Sequence, residues 1–103
     1  MTQLERINLM ESYLNEAAIT LKNFESALNG YHSVQGKLHE LAKYYHSEEW
    51  RKDFDDDNNG LLPGELKRGV LSEDGIYDVL SSNNELLSES LEVIAKILRS
   101  GRI

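Results

Sequence analysis

Asp55-x-Asp57-x-Asn59-Gly60 is the stretch of this sequence whose residue types and spacing speak most directly of chemistry. Alternating oxygen-bearing side chains followed by glycine open an EF-hand loop, where carboxylates and amides converge on a calcium ion and the glycine permits a sharp turn. On that reading Asp55, Asp57 and Asn59 are side-chain ligands, Leu61 contributes a backbone carbonyl, and calcium is the cofactor. Only half of the motif is present. The closing position, where an EF-hand has a bidentate Glu, is Leu66; Glu65 stands one residue early and Pro63 stiffens the backbone between. The competing reading is a solvated turn made by residues that favour turns, with no cofactor expected.

A second concentration of reactive types runs from Tyr44 to Asp53, with a further polar group at Lys67-Arg68 and Ser72-Glu73-Asp74. Tyr45, Trp50, Asp53, Lys67, Arg68, Ser72 and Asp74 form the candidate binding surface. If these side chains converge on a concavity, they suit small-molecule binding, or acid and base catalysis by groups between residues 44 and 74. If instead the charges cap helices and pair, while Tyr45, Trp50 and Phe54 plug the end of a bundle, the segment is structural. Ser47 and Ser72 both precede acids in the manner of helix caps. No catalytic residue is nominated, because no phosphate-cradling glycine loop, nucleophile elbow or HExxH pair is present, and an enzyme is the less favoured class. His32, His39 and His46 recur every seven residues, about 10 Å apart along a helix, too far to share one ion.

Composition narrows the classes further. The chain has 103 residues, 40% hydrophobic and 28% charged, which suits one soluble domain over 1–103 with a modest core. It has no cysteine, so disulfides and sulfur-ligated zinc are excluded. A net charge of −7, with basic residues scattered, argues against nucleic acid and anionic lipid as partners. Met1-Thr2-Gln3-Leu4-Glu5-Arg6 does not begin a signal peptide, and no stretch approaches the roughly 20 apolar residues that span a bilayer, so the cytoplasm is the expected address.

The elements that must position these residues are helical. Thr2 and Glu5 have the spacing of a capping box. Ile7, Met10, Leu14, Ala17, Leu21, Phe24 and Leu28 follow in alternating steps of three and four, one apolar stripe on a helix near 3–29. That stripe is either a core face or an interface for a protein partner or a second copy. A second helix is expected near 32–46, after a break at Asn29-Gly30. One long helix through Gly30 is the alternative, but Gly30 and Gly36 favour the break. Ser47 caps a short helix carrying Trp50 and Phe54, which ends in the acidic segment; Pro63 opens a helical turn that Gly69 stops. Ser72 caps a final helix near 72–99, with Ser81-Ser82-Asn83-Asn84 its weak point and Gly101 its end. The predicted fold is an all-α bundle of three principal helices with short connecting helical turns, and its leading function is protein interaction or assembly.

The sequence also resembles a family of small bacterial proteins known as domain of unknown function 4298. The resemblance runs through Leu4-Glu5-Arg6-Ile7 with Met10-Glu11, Tyr44-Tyr45 with Ser47 to Trp50, Asp53, and the long run from Leu66 to Asp74. It implies a bacterial cytoplasmic protein and brings no activity, ligand or partner with it.

Overall fold

The computed structural model of the chain describes residues 1–101. It is all-α: helix α1 spans Gln3–Tyr45, α2 spans Glu48–Asn58 and α3 spans Gly75–Ser100, with a single 3-10 turn at Gly69–Leu71 and no strand among the described residues. None of these helices is long and apolar enough to cross a membrane. The chain divides into two compact units, Met1–Gly36 and Lys37–Ile103.

The first unit is helix alone. Its start is the expected capping box: the Thr2 N–H donates to Glu5 Oε1 at 3.2 Å and the Glu5 N–H donates to Thr2 Oγ1 at 3.1 Å. The two bonds satisfy donors that a helix start leaves open, and they hold the Glu5 carboxyl below its usual pKa. The break expected at Gly30 does not occur. Helix α1 runs unbroken for 43 residues, and Gly30 and Gly36 keep negative φ. Each glycine costs about 1 kcal/mol against alanine, too little to interrupt a ladder propagating from both sides. Side chains reinforce the crossing, with Ser33 Oγ donating to the Asn29 carbonyl and Gln35 Nε2 to the Tyr31 carbonyl, each at 3.0 Å.

In the second unit α1 stops at Tyr45 and α2 starts two residues beyond His46. Ser47 is its N-cap as expected, accepting from the Trp50 N–H at 3.1 Å while its hydroxyl donates to the Tyr44 carbonyl at 2.6 Å. The acidic segment, where this helix was expected to end, forms the last turn of α2. It closes with Gly60 in the left-handed region at φ 71°, the Leu61 N–H donating to the Asp56 carbonyl at 3.0 Å and the Gly60 N–H to the Asp57 carbonyl at 3.1 Å. That pair of bonds around a left-handed glycine is a Schellman motif, so the Asp-Asn-Gly pattern marks a helix end.

The remaining boundaries shift as well. The Leu66 N–H reaches the Pro63 carbonyl at 3.3 Å, making a turn without a helix, and Gly69, expected to stop a helical turn there, opens a separate 3-10 turn at Gly69–Leu71. Helix α3 begins at Gly75, three residues after Ser72, continues through Ser81-Ser82-Asn83-Asn84, and ends at Gly101 with φ 61°. Among the described residues Leu71 and Ile76, at 7% and 2% exposure, are the buried hydrophobic side chains, flanking the step from the 3-10 turn into α3.

Candidate functional site

Two regions have enough organisation to act: the polar segment from Tyr44 to Asp74, and the apolar stripe on α1.

The polar segment is built around Trp50. Its ring stacks on Phe54 with centroids 5.0 Å apart and meets the edge of Tyr45 at 5.2 Å. Helical spacing of four residues sets the first contact, and the turn at His46-Ser47 sets the second. The polar ends of these aromatics then reach outward along the chain: Trp50 Nε1 donates to the Val70 carbonyl at 2.8 Å and the Tyr45 hydroxyl to the Glu73 carbonyl at 3.3 Å. A ring and a hydrogen bond together tie α2 and the end of α1 to the 3-10 segment.

Asp53, an expected surface acid, accepts from the Tyr44 hydroxyl at 2.6 Å. Partial burial, the Asp53 carboxylate and nearby Glu49 all oppose phenolate formation, and push the Tyr44 hydroxyl up to about 12. Arg68 does more. Its Nε donates to Asp57 Oδ1 at 2.7 Å, Nη1 to the carbonyls of Gly64 and Leu66 at 3.0 and 2.9 Å, and Nη2 to that of Pro63 at 2.6 Å. Helix α2 ends in successive aspartates with no basic residue in its last turn, an unfavourable arrangement at the negative end of a helix dipole. Arg68 supplies the missing positive charge and pins the loop to it; a lysine has no planar fork with which to repeat this. Within α2 itself Lys52 pairs with Asp56 at 2.9 Å, a bond that raises the lysine's pKa.

Ser72 works in two directions, donating to the Gly69 carbonyl at 2.9 Å and accepting from the Gly75 N–H at 3.0 Å. Gly75 is obligatory at this approach: a Cβ there would collide with the Gly69 carbonyl oxygen and lie 2.6 Å from Ser72 Oγ. Asp74 stands at the head of α3, where its carbonyl accepts from the Asp78 N–H at 2.8 Å and its side chain makes no cap. Lys67 is exposed and lines a cavity of about 440 Å³ whose other walls include Leu41, Val70, Ile76 and Val79.

The expected surface residues are therefore brought together, but largely to hold one another. Tyr45, Trp50, Asp53, Arg68 and Ser72 all bond within the segment, leaving Lys67 as the charged group on the cavity. Of the expected calcium ligands, Asp55 and Asp57 lie on α2, where residues two apart point about 200° from each other, and Asp57 is engaged by Arg68. Asn59 is the C-cap of α2 and Leu61 is exposed. Among the described residues no group of three or more His, Asp or Glu side chains is arranged to hold a metal ion. His32, His39 and His46 are exposed.

Sequence reasoning missed Tyr44 and Gly75. The Tyr44 and Asp53 pair spans a helix junction and leaves no periodic signal. Gly75, three residues after Ser72, was visible only as a residue inside an expected helix.

The stripe on α1 is the opposite case. Ile7, Met10, Leu14, Leu21, Phe24 and Leu28 are between 48% and 68% exposed, and Ala17 between them is exposed too. Sustained apolar residues at coiled-coil spacing are the usual face by which one helix receives another.

A family model described as Domain of unknown function (DUF4298) matches residues 7–93, a span that takes in both the stripe and the polar segment. No curated protein matches the chain, and no solved structure does.

Proposed function

The chain belongs to that family, and from this premise we propose that it is a small protein-interaction or assembly module, with the α1 stripe as its contact surface and the Tyr44 to Asp74 segment as its structural fastening. One observation carries the reading: the polar side chains capable of chemistry bond to one another, whereas the apolar stripe on α1 is left exposed. A long helix draws most of its stability from the packing of an amphipathic face, so the stripe favours being covered. The proposal includes a bacterial cytoplasmic location, the address implied by the resemblance, which cell fractionation tests. It does not include nucleic acid as a partner, given the net charge of −7.

Site-specific photo-crosslinking tests the reading. A photoreactive residue at Leu21, on the stripe, is expected to yield discrete adducts in cells, and the same residue at Ser26, on the opposite face, to yield none. Equal labelling from both positions removes the proposal.

The cavity at Lys67 supports a second reading, a site for a small apolar molecule carrying an anionic group. Its walls include aliphatic side chains from α1 and α3, with one ammonium to orient such a ligand. Octanoate shifting the resonances of Val70 and Val79, with the shift lost in Lys67→Gln, is the expected result; unchanged resonances remove this reading.

A further inference from the structure

We infer that the occupant of the stripe is a second copy of this chain, docked parallel and in register along residues 7–28. This deepens the interaction reading and rests on it. With Ile7, Leu14, Leu21 and Leu28 at the first position of successive heptads and Met10, Ala17 and Phe24 at the fourth, the stripe runs for three heptads, about 33 Å of helix. A stripe this regular is self-complementary, because two-fold symmetry sets each layer against its own copy.

The charges beside the stripe select the direction. Arg6 occupies the seventh heptad position, and Glu11 and Glu25 the fifth. All three are exposed and take part in no ion pair among the described residues. In a parallel dimer the seventh position of one helix faces the fifth position of the next heptad in the other. Arg6 then meets Glu11 of the second copy, and symmetry repeats the pair on the other side. In an antiparallel dimer with the same overlap, fifth positions face each other and Glu11 stands against Glu25 of the second copy, twice. The parallel arrangement gains two attractions where the antiparallel one has two repulsions.

The absence of cysteine makes the arrangement directly readable. In the full chain, Met10→Cys and Leu28→Cys, made singly and oxidised, are each expected to close a disulfide with their own kind. Sedimentation equilibrium of the unaltered chain should give twice the monomer mass of 11.8 kDa. Arg6→Glu should weaken association on the order of threefold, and adding Glu11→Arg should restore it. Circular dichroism and Trp50 fluorescence confirm that each variant is folded. A monomer at hundred-micromolar concentration overturns the inference. So does a disulfide that forms only when the two cysteine variants are mixed, since that reports antiparallel pairing. A monomer whose stripe still photo-crosslinks to another protein leaves the interaction reading standing while the second copy falls; a monomer without adducts removes both.

Discussion

The α1 stripe and the Tyr44 to Gly75 segment treat side chains in opposite ways. In Met1–Gly36 order comes from the backbone ladder and one capping box, and the large apolar residues of the stripe remain about half exposed or more. Between Tyr44 and Gly75 order comes instead from side chains reaching across connections: Tyr44 to Asp53, Trp50 to Val70, Arg68 to Asp57 and three carbonyls, Ser72 to Gly69 and Gly75. The contrast teaches that a dense group of acids, bases and hydroxyls need not be a reactive centre. With Leu71 and Ile76 the only buried hydrophobics among the described residues, directional bonds do much of what apolar volume does in larger domains.

The sharpest way to break the contrast is Trp50→Ala. Removing the ring and its bond to Val70 should destabilise the second unit by about 3 kcal/mol, measured by urea denaturation followed by circular dichroism. Loss of helix confined to part of the signal would show the units melting separately; a single unchanged transition would sink the account of Trp50. Gly75→Ala comes next, with an expected loss of about 2 kcal/mol in thermal unfolding because the new methyl group must displace backbone. An unaltered melting curve would mean that the Gly69 to Gly75 approach relaxes freely.

Tyr44→Phe probes the same unit through pH. The hydroxyl's pKa is raised on folding to about 12, so its contribution is fully present below the ordinary tyrosine pKa of about 10 and is lost as pH rises through the folded value. The native protein should therefore lose stability between these values more steeply than the Phe variant, and parallel pH profiles would count against the hydrogen bond. The smallest effect belongs to the first unit and has the opposite sign. At Gly30 a Cβ meets nothing within 4 Å, so Gly30→Ala should stabilise the helix by about 0.5–1 kcal/mol, seen as a higher urea midpoint. Destabilisation there would reveal a need for flexibility in α1.

How much of this was legible depended on the range of the interaction. Thr2 with Glu5, Ser47 and Gly101 were readable as caps, since a cap is decided within a few residues. The stripe was readable because its period is helical throughout. Gly30 misled because propensity counts one residue at a time, whereas helix propagation averages over many. Asp55 to Gly60 read two ways because a calcium loop and a Schellman end draw on the same small residues; the left-handed Gly60 and the reach of Arg68 to Asp57 belong to the folded chain and not to the pattern. Arg68, Tyr45 and Trp50 were named as parts of a candidate binding surface, and the structure gives each of them partners within the segment. The identity of those partners, three of them backbone carbonyls beside Arg68, depends on a folded path that composition does not encode.

Trp50 is the single tryptophan of the chain. Excited at the red edge of the absorption band, the molecule emits from one place, an indole stacked on Phe54 and met edge-on by Tyr45, its N–H held by Val70. Its emission wavelength and quenching report whether that joint is closed, while the first unit, with tyrosines alone, stays dark. The protein thus has a built-in optical gauge for one of its halves, read without attaching a dye.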